Sequence, residues 1–285
     1  MKNYKVILII SLFSLLLMIL ISPLRGYVNV MTSSLVGFVA YFLLTNYFIY
    51  KFKSKLKDFS IVLVILSGLC ILQLPTRIID FQPTLITLPD FLIHCLGILI
   101  GYLYYKSNKL IGAVVTALAL CFVLYMFFDG YDRWIHKLNF GTFYYEVSEE
   151  VPEFTMTNSK GIDFTNKDLK DKIVIFDFWT TTCGVCFRKF PILQEEFVKY
   201  KNTPGVEFYA VNIPWKRDSI GAAKRIISEY PYTFPVLYAK SDSLAKLFKV
   251  FAYPTVIIIR NGEKIIFRGN IDGIDEIIEK NKKGN

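Results

Sequence analysis

Five long apolar stretches occupy the first part of the chain. They cover residues 6–24, 27–50, 59–74, 85–105 and 110–128. Each approaches the roughly 17–25 residues that a helix needs to cross a bilayer, and we expect the third and shortest to continue through Pro75 towards Ile79. The first stretch lacks a small-residue cleavage site and is followed by four more, which favours a retained helix over a signal peptide. The pattern predicts an α-helical membrane bundle of five spans over residues 1–128.

The pattern changes after residue 150. Residues 129–150 are polar and aromatic without clear periodicity, and they are predicted to be a juxtamembrane linker. In residues 151–285, the predicted strands are 154–157, 173–179, 206–213, 234–238, 255–260 and 264–268, and the predicted helices are 183–200, 218–230, 242–250 and 274–281. Asn261-Gly262 is a hairpin turn between the last two strands. Alternating strands and helices that end in a hairpin and a helix predict an α/β domain with a mixed sheet and helices on both faces.

The charge distribution indicates a topology. The formal net charge is +9, but residues 1–128 hold 10 Lys and Arg against 3 Asp and Glu, whereas residues 129–285 hold 23 against 21. The basic residues of the first part cluster at Lys2 and Lys5, at 51–57, and at Lys106 and Lys109. This positive-inside pattern predicts a cytoplasmic amino terminus in a bacterial inner membrane and, after five crossings, a periplasmic or otherwise extracytoplasmic carboxyl-terminal domain. The partner of the basic residues is then membrane lipid and not nucleic acid.

Two cysteines stand three positions apart in Cys183-Gly184-Val185-Cys186, between the predicted strand 173–179 and the start of a helix. Thiols at this spacing can form a disulfide, and a helix amino terminus favours the thiolate. A structural zinc site would need two more Cys or His ligands, and this part of the chain offers only His136. The pair therefore predicts redox chemistry by its own disulfide, with no metal and no further cofactor.

The surroundings of the pair carry a family resemblance. Asp177-Phe178-Trp179 precedes it, Pro191 follows eight positions after the first cysteine, and Ala252-Tyr253-Pro254-Thr255 comes before a predicted strand. An extra strand and helix at 206–230 separate these motifs. Residues 151–281 thus resemble the thioredoxin fold and, within it, the TlpA/ResA-like membrane-tethered thiol-disulfide oxidoreductases. The chain departs from thioredoxin in having Gly184-Val185 between the cysteines, so a redox potential does not transfer from the family.

The resemblance implies roles for the motif residues. Cys183 is expected to attack a target disulfide, and Cys186 to resolve the mixed disulfide. Asp177, on the strand beneath the pair, is expected to take the proton from Cys186; the alternative is a buried aspartate without a kinetic role.

Three further residues are expected to bind substrate. The resemblance implies a cis bond before Pro254, with the backbone of Tyr253 pairing with an extended substrate; the alternative is an ordinary trans turn. Trp179 is expected to shield the thiol and to contribute to a docking surface; the alternative is core packing.

The membrane region offers weaker signals. Cys70, Cys95 and Cys121 lie in the third, fourth and fifth spans, either as an electron relay or as small apolar residues. Asp90 and His94 are one helical turn apart on the fourth span, so with Cys95 they form a candidate redox or proton site, for quinone contact or proton handling. Asp90 also suits the first turn of a helix, which is the structural alternative.

The favoured interpretation is an extracytoplasmic, membrane-tethered thiol-disulfide oxidoreductase that acts as a reductase on envelope proteins and draws electrons from a membrane donor. Apocytochrome c thiols, misbridged envelope proteins and a dedicated partner all fit as substrates. One alternative is a quinone-linked disulfide-generating oxidase, which the lack of a second C-x-x-C in the spans disfavours. Another is a non-catalytic assembly or binding protein, which the intact cysteine pair disfavours.

Overall fold

The computed structural model describes residues 3–219 and 221–282. Lys2, from the predicted cytoplasmic basic cluster, and Ile220, from the predicted helix 218–230, lie outside the described residues. The chain divides into two compact units, Met1–Ile135 and His136–Asn285, and each is described separately below.

The amino-terminal unit is helical. Its helices are α1 Asn3–Ile21, α2 Leu24–Tyr27, α3 Val30–Phe52, α4 Asp58–Ile79, α5 Phe81–Thr84, α6 Leu88–Lys106, α7 Lys109–Tyr125 and α8 Tyr131–Phe140, which runs on into the second unit. Within the described residues, five helical segments are long and apolar enough to cross a membrane: Asn3–Tyr27, Val30–Phe52, Asp58–Ile79, Phe81–Lys106 and Lys109–Phe140. The predicted helical region of five long apolar segments is confirmed, and α4 continues through Pro75 to Ile79 as expected.

Helices α3 and α6 pack closely because glycines line their interface. A Cβ atom on Gly97 would lie 2.5 Å from the carbonyl oxygen of Phe38, and one on Gly101 would lie 2.9 Å from that of Phe42. Small residues let helix backbones approach, which replaces the hydrophobic driving force that is missing in lipid. The same close approach brings polar side chains of α3 and α6 together.

The carboxyl-terminal unit contains one mixed sheet. Its strands are β1 Glu146–Glu150, β2 Thr155–Asn158, β3 Asp163–Thr165, β4 Ile173–Trp179, β5 Val206–Asn212, β6 Val236–Ala239, β7 Thr255–Arg260 and β8 Lys264–Gly269. Their spatial order is β1-β8-β7-β4-β5-β6-β2-β3, with β4, β5 and β6 parallel and the other neighbouring pairs antiparallel. The helices are α9 Gly184–Tyr200, α10 Ala222–Ser228, α11 Ser243–Leu247 and α12 Ile274–Lys282. This confirms the predicted mixed-sheet, thioredoxin-like fold.

Strand β4 is the centre of this unit, and all seven of its residues are buried. Alternate side chains of a strand point to opposite faces. Ile175 and Trp179 belong to the core that includes Phe190 of α9, whereas Phe176 and Phe178 belong to the core that includes Phe248. A strand covered on both faces explains its continuous apolar sequence, and it fixes the segment that follows its carboxyl end.

Residues 129–150 contain regular structure that their sequence did not predict. Helix α8 begins at Tyr131, and β1 forms the edge of the sheet beside β8. The β1 sequence Glu-Val-Ser-Glu-Glu is too polar to give an apolar alternation, because an edge strand keeps its charged side chains in solvent. Strand β3 was not predicted, because three residues are too few to show an alternating pattern.

Two predicted helices are shorter than expected. The helix expected over 218–230 is α10, Ala222–Ser228, and the one expected over 242–250 is α11, Ser243–Leu247. Lys249, with a backbone φ of 52°, has a left-handed conformation that ends helical geometry in the second case. In the first case residues 214–219 form a loop, and the hydrogen bond between Asp218 and Thr181 joins this loop to the segment before the cysteines.

Candidate functional site

The two cysteines lie at the carboxyl end of β4, where α9 begins. Cys183 and Cys186 form a disulfide, and their Cα atoms are 5.3 Å apart. Cys183 caps α9, since its Sγ accepts the backbone N–H of Cys186 at 3.1 Å. Cys183 is partly exposed, whereas Cys186 is completely buried. One sulfur is therefore accessible to a partner and stabilised by a helix amino terminus, and the other is shielded.

Asp177 lies in the middle of the sheet, in register with Ala210 of β5 and Val256 of β7. Its side chain is buried, and Oδ1 has no hydrogen-bond partner in the part of the chain that the structure describes. Burial raises the pKa of Asp177 to about 8, because a carboxylate loses its hydration there. Strand alternation places Asp177 on the same face of β4 as Trp179, which shares a core with Cys186. The site thus combines a buried thiol with a carboxyl group that can exchange a proton near neutral pH.

The loop before β7 lies at the same end of the sheet as the cysteines, since Thr255 is in register with Phe178 of β4. The peptide bond between Tyr253 and Pro254 is cis, and both residues are partly exposed. The hydroxyl of Thr255 donates to the carbonyl oxygen of Ala252 at 2.7 Å, which closes the turn. Proline has no N–H, so this turn offers backbone carbonyls and the N–H of its neighbours to an approaching chain.

The structure corrects the prediction that Trp179 contributes to a docking surface. Its side chain has no exposed surface, and its ring packs edge-on against Phe187 and Phe190 at centroid distances of 5.8 and 5.4 Å. A docking surface needs exposed atoms, so Trp179 belongs to the core beneath the motif. The sequence could not show this, because a tryptophan next to a reactive loop suits either position.

The sequence did not predict a hydrogen bond that links the loop after β5 to the cysteine motif. Asp218 is the first residue of the predicted helix 218–230, but α10 begins four residues later. Instead, Asp218 accepts a hydrogen bond from the hydroxyl of Thr181 at 2.6 Å and one from the backbone N–H of Trp215 at 2.9 Å. Thr181 stands two residues before Cys183, so Asp218 holds the loop after β5 against the motif. An aspartate before a helix gives the same sequence signal for either role.

In the membrane-type unit, the structure brings Asp90 and His94 together with two residues that the sequence did not connect to them. Asp90 and His94 are fully buried, and His94 Nε2 lies 3.4 Å from Asp90 Oδ1. Asp90 also accepts hydrogen bonds from the Arg25 guanidinium and, at 2.9 Å, from the Ser34 hydroxyl. Cys95 is not part of this cluster, since it packs against the core that includes Leu69.

The imidazole of His94 fits into a space that α3 leaves open. A Cβ atom on Gly37 would lie 1.9 Å from His94 Nε2, so no other residue fits at that position. His94 Nε2 also lies 3.2 Å from the carbonyl oxygen of Ser33. Cys70, Cys95 and Cys121 are free thiols in the structure.

Comparisons with known proteins give the family. The AhpC/TSA family profile matches residues 147–268. Thiol-disulfide oxidoreductase ResA of Bacillus thuringiensis is 30% identical over 162 residues, which are 56% of this chain and 87% of the relative. ResA of Bacillus subtilis is 28% identical over 117 residues, 41% of this chain and 63% of the relative. The structure of the exposed lipoprotein thioredoxin Etrx1 of Streptococcus pneumoniae aligns with a TM-score of 0.40 at 24% identity, covering 45% of this chain and 98% of that chain.

The match to ResA of Bacillus thuringiensis covers 87% of that relative. Three features described above agree with the match: a mixed thioredoxin-like sheet, a C-x-x-C disulfide at the start of α9 and a cis-proline loop beside it. The chain therefore belongs to the ResA family of thiol-disulfide oxidoreductases, with its Cys183–Cys186 disulfide in the carboxyl-terminal unit.

Proposed function

We propose that the protein reduces disulfides of extracytoplasmic proteins with the Cys183/Cys186 dithiol. The observation that carries the proposal is the contrast between the two sulfurs, one partly exposed at a helix amino terminus and the other buried near Asp177. Such an arrangement suits an attacking thiolate and a resolving thiol.

The reaction runs in two exchanges. The Cys183 thiolate attacks one sulfur of the target disulfide, a bond forms between them, and the other target sulfur leaves as a thiolate. Cys186 then gives up its proton to the Asp177 carboxylate and attacks Cys183, which releases the second target sulfur. The target has gained two electrons, and Cys183 and Cys186 have become the disulfide. A protein or membrane electron donor must reduce that disulfide before the next cycle.

The sequence supports the proposed compartment and membrane attachment. The basic residues near the ends of the apolar helices favour a cytoplasmic amino terminus, and five crossings then carry residues 129–285 to the other side. A reporter that is active only in the cytoplasm, fused after Asn285, should be inactive. Cytoplasmic activity of the fusion would contradict the compartment.

A trapping experiment tests the exchange itself. In the full-length Cys186→Ser variant the mixed disulfide cannot be resolved, so envelope proteins should accumulate in disulfide-linked complexes that dissociate under reducing conditions. The matched control is the double variant Cys183→Ser/Cys186→Ser, which has no attacking thiol. Equal recovery of complexes from the two variants would overturn the proposal.

The Asp90–His94 pair supports a second, separate proposal, a proton-handling site in the membrane-type unit. Both residues are buried, and ionisable residues inside membrane helices are costly enough to mark functional positions. The variant His94→Gln retains a hydrogen-bond donor but cannot carry a proton. The variant should slow turnover that is driven by the native electron donor, but it should not change the rate at which the pre-reduced dithiol reduces a disulfide. A variant with wild-type rates in both assays would refute the role.

A further inference from the structure

An aromatic row stands beside the cysteine motif. The segment Tyr230-Pro231-Tyr232-Thr233-Phe234 joins α10 to β6 and carries an aromatic ring at every second position. The rings are stacked, with Tyr230 and Tyr232 5.6 Å apart at an interplanar angle of 10°, and Tyr232 and Phe234 5.2 Å apart at 17°. Residues at alternate positions of an extended segment face the same side, which explains the alignment.

The row continues onto the active-site helix. Phe187, the residue after Cys186, stacks on Tyr230 at 5.6 Å with an interplanar angle of 22°. We use the name aromatic row for Phe187, Tyr230, Tyr232 and Phe234. Exposure varies along the row, since Phe234 is buried in the core whereas Tyr230 is 40% exposed. The row therefore presents ring surface to solvent next to the redox disulfide.

The row is held in place by α9 and does not depend on loop packing alone. The side chain of Gln194 accepts the backbone N–H groups of Thr233 at 2.8 Å and Phe234 at 3.3 Å, and it donates to the hydroxyl of Thr233 at 2.8 Å. Beneath it, Phe190 contacts the rings of Tyr232 and Phe234 at 5.7 and 5.4 Å. A surface fixed in this way loses little conformational entropy when a partner binds.

We infer that the aromatic row binds an aromatic side chain that lies a few residues from the reacting cysteine of the substrate. The inference rests on the proposed function, because the mixed disulfide ties the substrate backbone to Cys183. That backbone must then cross the surface beside the motif, where Val185 is 46% exposed and Phe187 and Tyr230 continue the apolar area. The substrate class is thus a polypeptide with an accessible aromatic residue near its disulfide, as in an incompletely folded protein.

The choice of an aromatic occupant follows from the chemistry of the row. An aliphatic side chain gains only the burial of its surface, whereas two aromatic rings gain about 0.5–1.5 kcal/mol more through offset or edge-to-face contacts. Tyr230, the most exposed residue of the row, stacks on Phe187 and Tyr232 and keeps part of its surface open. Selectivity should therefore depend on the rings of Tyr230 and Tyr232 and not on their hydroxyl groups.

The test uses the full-length protein in detergent, with its dithiol pre-reduced, and a set of short peptides that contain one disulfide. Paired peptides carry either Trp or Leu at one position within four residues of a cysteine. The second-order rate constant of reduction is measured for each pair, and the readout is the ratio of the Trp to the Leu rate. The ratio cancels any general loss of reactivity in a variant.

We expect the wild type to reduce at least one Trp peptide about 3- to 10-fold faster than its Leu partner, which corresponds to the extra aromatic contact. Tyr230→Ala and Tyr232→Ala should bring the ratio close to 1, and Tyr230→Phe should preserve it. The control Val198→Ala changes an exposed residue of α9 about three turns beyond Phe187, and it should also preserve the ratio.

The outcomes separate this inference from the proposed function. A wild-type ratio near 1 at every position, or an unchanged ratio in Tyr230→Ala and Tyr232→Ala, would overturn the aromatic row as a binding surface. Failure of the reduced wild type to react with any peptide, or with hydroxyethyl disulfide, would instead overturn the proposed exchange reaction and the inference that rests on it.

Discussion

Both units of the protein bury an aspartate, and the two carboxyl groups have opposite surroundings. Asp90, on α6, receives the Arg25 guanidinium and the Ser34 hydroxyl and lies beside His94. Asp177, on β4, has apolar neighbours in the sheet, and its Oδ1 has no partner among the described residues. Burial is the same, but only Asp90 has a cation and donors that compensate for the lost water.

The difference teaches what each site can do. Asp90 is paired with the Arg25 guanidinium and accepts a hydrogen bond from Ser34, so it fixes the positions of these side chains within the helical unit. A buried carboxyl group without such partners takes up a proton, and the pKa of Asp177 is accordingly raised by burial to about 8. Asp90 is held in an ion pair with Arg25, whereas Asp177 has no such partner in the described structure, and we propose that it takes the proton of Cys186.

The largest expected effect is the pH dependence of stability at Asp177. The folded state keeps its proton up to about pH 8, whereas the unfolded chain releases it near pH 3.8. The stability contribution is therefore complete below pH 3.8 and is lost as pH rises through 8, a change of about 6 kcal/mol. Hydrogen exchange of the β4 amides in the full-length protein measures this, and Asp177→Asn should lose the dependence.

The control for that measurement is Asp163→Asn, which changes an exposed carboxylate on β3 of the same sheet. It should preserve the pH dependence of β4 exchange. A wild-type β4 whose protection stays constant between pH 4 and 8 would show that Asp177 is ionised throughout and would contradict the prediction.

A second prediction concerns catalysis at the same residue. Asp177→Asn cannot accept the proton of Cys186, so the rate of disulfide reduction should fall about 100-fold, a typical loss for a general base. In the wild type the rate should rise as pH approaches 8, because the ionised carboxyl is the active form. The variant should lack that rise. Stopped-flow measurement of the pre-reduced protein with a peptide disulfide gives both results, and a variant with the wild-type pH profile would contradict the role.

The same substitution at the other aspartate should lower stability. Asp90→Asn leaves the Arg25 guanidinium without its carboxylate, and it should destabilise the helical unit by about 2 kcal/mol, less than for a fully buried pair because Arg25 reaches solvent. Denaturation of the full-length protein in mixed micelles measures the change. Asp129→Asn, which removes an exposed ion pair with Arg133, should cost less than about 0.5 kcal/mol. Equal costs would show that burial adds nothing to the Asp90 pair.

The smallest expected effect is a difference in stability between substitutions at two neighbouring serines. Ser34 donates to Asp90, whereas the Ser33 hydroxyl is buried without a partner in the described structure. Ser34→Ala should destabilise the helical unit by about 1 kcal/mol, since Asp90 keeps its other donors. Ser33→Ala should leave stability unchanged or raise it slightly. The same micelle denaturation assay applies, and a larger loss for Ser33→Ala would show that the hydrogen bonds around Asp90 are assigned wrongly.

The sequence predicted the features that depend on local pattern. The five apolar helices, strand β4 and the C-x-x-C at the start of α9 follow from hydrophobic runs and from the spacing of the cysteines. Strand β1 was missed because an edge strand rich in glutamate has no apolar alternation. Such a strand is defined by its pairing with β8, which a local pattern does not contain.

Contacts between residues far apart in the chain could not be predicted from the sequence for the same reason. Arg25 lies between the first two apolar stretches of the sequence, and its pairing with Asp90 joins positions 65 residues apart. The burial of Trp179 and the tether from Asp218 to Thr181 likewise depend on how separate elements pack. The sequence could therefore indicate which residues carry chemistry, but not which of two equally compatible environments each would have.

The central claim is that the Cys183/Cys186 dithiol is a reductant. The most direct test is the reduction potential of the full-length protein, equilibrated in defined thiol–disulfide buffers, with the oxidation state of the peptide that contains both cysteines measured by alkylation and mass spectrometry. A reducing potential, closer to thioredoxin's value of about −270 mV than to about −120 mV, is the predicted result. A potential near −120 mV, about that of a disulfide-generating oxidant, would contradict the claim and reverse the direction of the reaction.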